Sequence, residues 1–538
     1  MLHDGWWRGG VIYQVYLPSF CDGNNDGLGD LIGLESQLGY IEKLGVDAIW
    51  ISPFYPSPMR DAGYDVAEYQ SVDPAFGTLG DFDRVVSKAH AGGLRVIVDQ
   101  VWSHTSLDHR WFQESRGSRT NPKADWYIWA DPRADGSPPS NWLSVFGGSA
   151  WKWDAPRRQY YLHHFLTSQP KLNLRNQEVL AEHFATAEFW LARGVDGFRL
   201  DAIDFMLHDE RLRDNPPRLD TAPDRPWNPF RLQQHVYDIC HPDADVLMQR
   251  IRHFMDRFPQ AVTIGEISSE TGALNRIAVL TAEGRLHMAY TLGVMKSAFS
   301  AAMFRHALRD ANELNQAGWL CWSFSNHDVD RVVTRWNPSG RYPLEFARLQ
   351  MALLLCLPGS ICLYQGEELG LPNGRVPPNK IRDPFGLAFY PVFSGRDGSR
   401  TPMPWLAGKK NLGFSPISPT WLPVDSDFEP LAIDRQETDS SSPLGVCRRL
   451  LTWRRQHPAL RGGSVEICDT DDPVLAFCRR RDGDGVVAAY NLSPGELSIS
   501  RAVLPPFQPD DPTGFAVEPK GDTIVLPPFG FVLGKTST

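Results

Sequence analysis

From residue 11 to residue 363, short β-branched and apolar runs alternate with longer stretches of helical periodicity, and this alternation constrains the fold more than any other feature. The runs fall at 11–17, 48–51, 95–98, 197–200, 261–264, 287–290, 320–323 and 360–363. Apolar runs this short read as strands buried on both faces, as in a parallel sheet covered by helices. Helical patterns lie between them at 31–44, 79–91, 178–193, 244–258 and 344–357. Eight strand–helix units of ~31 residues close into a (β/α)8 barrel of ~250 residues. The expected class is therefore α/β, a TIM barrel.

Spacing locates what is added to the barrel. Asp99, at the end of the third strand, and Asp201, at the end of the fourth, are 102 residues apart, an excess of ~70 over one unit. The excess holds WYIWADPRADGSPPSNWLS and reads as an inserted subdomain after strand 3. Asp201 to Glu266, after the fifth strand, is 65 residues, an excess of ~34 over one unit. That excess maps to the polar, Pro-rich segment 208–230, a long loop after strand 4 within an insertion of 205–240. Beyond a helix near 444–456 the pattern changes to short strands at 465–468, 474–479, 485–491 and 523–526, an antiparallel C-terminal β domain of sandwich type. The expected division is residues 1–104 and 174–458 for the barrel, 105–173 for the subdomain and 459–538 for the β domain.

Composition removes several functions. The chain has 64 acidic against 54 basic residues, a net charge of −10, and no Lys/Arg block, so nucleic acid and anionic membranes are not expected partners. Eight cysteines form no C-x-x-C pair, which removes zinc ribbons and redox centres. No apolar run approaches the ~18–20 residues of a membrane span. The start, MLHDGWWRGGVIYQVY, lacks a secretory pattern, so a cytoplasmic location is expected. There is no H-E-x-x-H and no G-x-S-x-G.

Chemistry concentrates at strand ends. Asp201 (GFRLDAID), Glu266 (TIGEIS) and Asp328 (SFSNHD) each close an apolar strand, at spacings that fit one barrel rim. Carboxylates in pairs cleave glycosidic bonds, one held neutral as acid and the other ionised. Arg199 stands two residues before Asp201, on the same strand face, where its charge is expected to keep Asp201 ionised. His104 (DQVWSH) and His327 also end strands and can donate to sugar hydroxyls. The loop DGNNDGLGD sets Asp22, Asn24, Asp26, the Leu28 carbonyl and Asp30 in the register of a hard-cation loop, although Gly33 stands where an EF-hand requires Glu. A structural divalent cation, Ca²⁺ or Mg²⁺, is expected there. Gly27, Gly29 and Gly33 miss the dinucleotide fingerprint by one residue, and no organic cofactor is expected.

Taken in order, DQVWSH, QPKLN (169–173), GFRLD, Gly265-Glu266 and NHD resemble the signature regions of the α-amylase superfamily of glycoside hydrolases over nearly the whole chain. The resemblance implies Asp201 as nucleophile, Glu266 as general acid/base and Asp328 as the carboxylate that grips the first sugar. More narrowly, the chain resembles the oligo-1,6-glucosidase and α-glucosidase branch, whose clamp on the non-reducing glucose matches Asp61, Tyr64 and Arg396. Its other ring contacts match His104, Phe165, Arg199 and His327. Ser103 and Lys171 depart from that branch's Asn and Asp, and Ala202 in place of Val implies α-1,4 over α-1,6 linkages. The implied activity is that of a retaining, exo-acting α-glucosidase on maltose and short oligosaccharides, with glucosyl transfer to sugars or alcohols. A sucrose or trehalose isomerase, or a sucrose hydrolase, is the alternative. A monomer or weak homodimer is expected.

Overall fold

The computed structural model describes residues 5–219, 227–269, 272–314, 318–517 and 519–536. Residues 220–226 of the expected loop after the fourth barrel strand lie outside them. The chain begins with strands β1 (Val11–Val15), β2 (Ala48–Ile51) and β3 (Arg95–Gln100). Three short strands follow, β4 (Trp129–Ala130), β5 (Trp151–Asp154) and β6 (Gln159–Leu162). The next five are β7 (Gly197–Leu200), β8 (Val262–Ile267), β9 (Met288–Thr291), β10 (Cys321–Ser323) and β11 (Ser360–Tyr364).

Eight of these strands form one sheet in the order β10-β11-β1-β2-β3-β7-β8-β9, with every named pairing parallel. An isolated parallel bridge between Ala289 and Leu320 joins β9 to the approach of β10 and closes the barrel. The connecting helices carry the expected stop signals. Asp30 caps Leu31–Leu44 by accepting from the Gly33 amide, and Gly45 ends that helix at φ 87. Leu79–Ala91 opens on a capping box of Thr78 and Asp81. The first strand stops at Val15, short of the expected 17, because Pro18 sits in a 3₁₀ turn, Leu17–Ser19.

Strand parity explains where the chemistry goes. Ile12, Ala48, Ile97, Ile264 and Met288 fill the barrel interior, whereas Val11, Ile49, Val96 and Phe198 pack outward in the large core. A step of two residues along the inward face leads from Ile12 to Gln14, from Ile97 to Asp99, from Ile264 to Glu266 and from Met288 to Tyr290. The interior is thus apolar at its floor and polar at its carboxyl-terminal mouth, where barrel enzymes carry their active sites.

The subdomain after β3 is an antiparallel sheet, β4-β6-β5, tied to the barrel by a bridge between His104 and Lys171. At the other end of the chain are β12 (Ser464–Ile467), β13 (Val474–Arg481), β14 (Asp484–Asn491), β15 (Leu497–Ser500), β16 (Gln508–Pro509), β17 (Thr523–Leu526) and β18 (Phe531–Lys535). They form a sheet β12-β13-β14-β18-β16 and a pair β15-β17, with Ala476, Val487, Ile524 and Leu526 among the apolar side chains between them. β15, β16 and β18 have no counterpart among the expected strands: β15 alternates with serine, β16 is two residues long, and only Phe531–Leu533 is apolar in β18.

Candidate active site

The mouth of the barrel opens into a cavity of about 600 Å³ lined by Asp61, Tyr64, His104, Phe165, Asp201, Glu266, Asp328 and Arg396. Eight of the ten sequence-derived catalytic and sugar-binding residues therefore meet in one space. The other two, Arg199 and His327, lie directly beneath as buried supports.

Arg199 organises the catalytic end. Its Nη1 donates to Asp99 Oδ1 and Asp201 Oδ1, each at 2.8 Å, and its Nη2 also contacts Glu266 Oε2. Trp50 and the Tyr64 hydroxyl complete the shell of Asp99, donating to Oδ2 at 3.2 and 2.9 Å. Tyr290 accepts from Arg199 at 2.9 Å and donates to Glu266 Oε2 at 2.8 Å, while Ser268 Oγ donates to Oε1 at 2.9 Å. One buried guanidinium thus serves three carboxylates. The expectation that it holds Asp201 low is corrected by this sharing: burial pushes the Asp201 carboxyl up to about 7, Asp99 and Asp328 push the same way, and Arg199 only partly offsets them.

Asp328 shifts the other way. Burial alone would raise it, but His327, Arg396, Arg400 and Arg199 outweigh burial and hold it well below the ordinary carboxylate range. Arg396 Nη1 and Arg400 Nη2 reach Asp328 Oδ1 at 2.7 and 2.9 Å. His327 accepts from Gln14 Nε2 at Nδ1, 2.7 Å away, which leaves the ring proton on Nε2, 3.4 Å from Asp328 Oδ2. Burial pushes the pKa values of both His327 and His104 down to about 3, so both rings are neutral donors at neutral pH. Tyr64 stacks on His327 at 5.2 Å and an interplanar angle of 5°, a flat floor for a sugar ring.

Arg396 closes the far end. Its Nη2 donates to Asp61 Oδ1 at 3.0 Å and to Asp383 Oδ1 at 2.7 Å, and its Nε and main-chain amide also donate to Asp383. Asp383 is fully buried, and it also caps the short helix Pro384–Phe389. Gln169 Nε2 donates to Asp61 Oδ2 at 3.0 Å. Asp99, Asp383, Arg400 and Tyr290 are absent from the sequence-derived set. Parity along β3 and β9 could have found Asp99 and Tyr290, whereas Asp383 and Arg400 come from a segment without regular periodicity.

The other side of the cavity is mixed: Phe165, Phe205, Phe230 and Ile239 form an apolar patch, while Asn228, Gln233, Gln234, His235 and Arg276 line the rest. Phe165 lies 4.8 Å from Phe205 and 5.1 Å from His104 between ring centroids. Ala202, directly after Asp201, sits at φ 42, where a side chain beyond Cβ is strained.

The acidic loop lies away from this cavity. Asp22 accepts from the amides of Asn25, Asp26 and Gly27, Asp26 from that of Leu28, and Asp30 from those of Gly23, Asn24 and Gly33. Among the described residues no Lys or Arg pairs with these three carboxylates. Nor does any group of three His, Cys, Asp or Glu side chains converge as a metal cage there, so an ion at this loop needs the Asn24 and Leu28 oxygens as well. Such an all-oxygen donor set fits a hard divalent cation.

No helix among the described residues is long and apolar enough to cross a membrane. Residues 14–463 match the family profile for the catalytic domain of alpha-amylase. The chain is 46% identical over 531 residues to a probable alpha-glucosidase of Rhizobium meliloti (strain 1021), covering 98% of this chain and 96% of that one. An oligo-1,6-glucosidase of Heyndrickxia coagulans is 34% identical, with 94% of each chain covered. The crystal structure of an alpha-glucosyl transfer enzyme, XgtA, superposes with a TM-score of 0.94 at 47% identity, covering 99% of this chain and 100% of that one. With the barrel, the strand-end carboxylates and these likenesses in hand, the chain belongs to the α-amylase family of glycoside hydrolases.

Proposed function

We propose that the protein is a retaining, exo-acting α-glucosidase that cleaves terminal α-1,4-linked glucose and passes the glucosyl group to water or to an acceptor hydroxyl. The observation that carries this reading is the single guanidinium, Arg199, in contact with both Asp201 and Glu266. It supports two carboxyl groups on opposite sides of one anomeric carbon, at the ~5–5.5 Å separation that retention requires.

In this reading Glu266 gives its proton to the leaving oxygen while Asp201 attacks the anomeric carbon. The glycosidic bond breaks as the bond to Asp201 forms, giving a β-glucosyl ester. Glu266, now ionised, removes a proton from water or an acceptor hydroxyl, whose oxygen displaces Asp201 and restores the α configuration. Asp328 and the proton on His327 Nε2 hold sugar hydroxyls most tightly in the flattened, cationic state, where binding raises rate. The clamp of Arg396 on Asp61 and Asp328 supports exo action, because it ties two carboxylates of the cavity lining together. The apolar patch of Phe165, Phe205, Phe230 and Ile239 on the acceptor side supports transfer, because hydroxyls on apolar carriers are favoured against it over water. The acidic loop is assigned a structural Ca²⁺ or Mg²⁺ with no part in these steps.

The test is product analysis with maltose, isomaltose, sucrose and trehalose. Maltose should give α-glucose as the first anomer seen by proton NMR, and isomaltose should react more slowly. First-formed β-glucose, or rearrangement of sucrose to another disaccharide, would overturn the reading. Asp201→Asn should lose turnover on the order of 10⁴-fold while still folding.

A further inference from the structure

Lys171 replaces an acidic residue expected from the family resemblance, and its surroundings give it a purpose. It is 1% exposed, and its backbone joins the subdomain through Lys171 N to Leu162 O and Ile128 N to Lys171 O. Its Nζ donates to two main-chain carbonyls, those of Phe205 and Met206, the latter at 3.0 Å. Among the described residues no carboxylate pairs with it. Burial pushes its pKa down to about 7, with Arg175 adding to the shift and Asp238 opposing it. A buried ammonium held only by carbonyls costs more than a neutral side chain would, so its retention needs a return elsewhere.

That return lies in what the two carbonyls belong to. Residues Ile203–Phe205 form a single 3₁₀ turn directly after Asp201 and the strained Ala202. The turn carries no side-chain cap; its middle residue, Asp204, is tied on one side to the Ser269 and Cys240 amides and to Arg276, and Lys171 takes the carbonyls that follow it, at Phe205 and Met206. The Phe205 ring stands on the acceptor wall beside Phe165 and Phe230. Two residues before Lys171, Gln169 donates to Asp61 at the donor clamp. One short segment therefore holds the glucose end of the cavity through Gln169 and its acceptor wall through Lys171.

We propose that Lys171 is a positioning residue for the acceptor: by holding the Phe205 and Met206 carbonyls it fixes the turn after Asp201, and with it the apolar wall that decides between water and an apolar alcohol. The proposal rests on the glucosyl-transfer reading above. No bond is made or broken at Lys171; it acts through Phe205.

The experiment supplies maltose as donor and benzyl alcohol as acceptor, and reads the ratio of benzyl glucoside to hydrolytic glucose. Lys171→Met should lower that ratio about tenfold, below the ~100-fold that a 1 Å misplacement can cost. Lys171→Arg, which keeps the charge, should restore most of it. A purely structural lysine would slow both products together and leave the ratio unchanged, and that result overturns the proposal. Where Lys171→Met does not fold, Phe205→Leu decides: a lowered ratio supports a wall set by this turn, and a wild-type ratio overturns it. Absence of any turnover of maltose by the wild-type protein overturns the α-glucosidase reading itself, which an unchanged ratio in an active enzyme does not.

Discussion

Carboxylates gather in two places, the barrel mouth and the loop at Asp22–Asp30, and the two gatherings are held in opposite ways. At the mouth, Asp99, Asp201, Asp328 and Asp383 meet buried guanidinium groups, and those on Asp99 and Asp328 arrive from residues 100 and 68 positions away in the chain. In the loop, every carboxylate is held by backbone amides no more than seven residues away. Charge pairing in a dry interior couples groups to one another and moves their proton affinities. Local amide bonding shapes a turn and leaves its charge for solvent or a cation. The first arrangement suits chemistry and the second suits a structural ion.

The largest way to break this contrast is at Arg199. Arg199→Met would strand Asp99, which is fully buried, and leaving one member of a buried pair alone costs ~3–5 kcal/mol. Urea unfolding should register that loss together with the loss of turnover, whereas a stability equal to wild type would mean that Asp99 is not held by this pair. Removing the ion proposed for the loop is the counterpart. Chelation with EDTA should lower unfolding free energy by about 2.7 kcal/mol if the site is loaded at a hundred times its dissociation constant. Calcium or magnesium should restore it without changing the kinetic constants, and a thermal midpoint indifferent to EDTA would remove the ion from the account.

Asp383 sharpens the comparison, since among the described residues its carboxylate is hydrogen-bonded by Arg396 and the Phe385 amide alone. Asp383→Asn weakens hydrogen bonds to a charged group, worth ~1.5–3 kcal/mol. The expected result is a rise in KM for maltose larger than the fall in kcat, and little further effect in an Arg396→Lys background. Independent, additive effects would show that Asp383 does not act through the clamp.

The smallest effect is set by acidity. The nucleophile must be ionised, and burial raises Asp201 to about 7, so protonation on the acid side removes the active form. kcat/KM should therefore fall about tenfold per pH unit below this value. Activity maintained down to pH 5 would mean that Arg199 outweighs burial. The same shift has a sign for stability. A carboxyl with a raised folded-state pKa binds more protons folded than unfolded between its two pKa values, so this group contributes stability at low pH that is lost as pH rises through about 7.

Legibility in the sequence followed the range of the interaction. Local periodicity carried the eight strands, and six of the barrel and C-terminal strands have the expected bounds or differ by a residue at one end: Ala48–Ile51, Gly197–Leu200, Cys321–Ser323, Ser360–Tyr364, Asp484–Asn491 and Thr523–Leu526. The helices Leu31–Leu44 and Leu79–Ala91 were equally readable, because caps and stop signals lie within a few residues of each end. Asp383 and Arg400 were not, because the segment around them has no repeat, and the partners they meet lie 13 and 72 residues away.

By itself, the sequence determined that eight buried strands close into a barrel, that a two-residue alternation turns Glu266 inward, and that Asp201 and Asp328 follow strands β7 and β10 on the same rim. Tertiary structure alone decided that one guanidinium is shared by Asp99, Asp201 and Glu266, that Asp383 holds the clamp, and that Lys171 reaches across to the turn after Asp201. Apart from Arg199 with Asp201, those are contacts between residues 13 to 100 positions apart, and burial there changes the chemistry of each charge. Arg199 was legible as a neighbour of Asp201, but not the weakness of its hold. How far one cation can offset burial depends on how many carboxylates the fold brings to it.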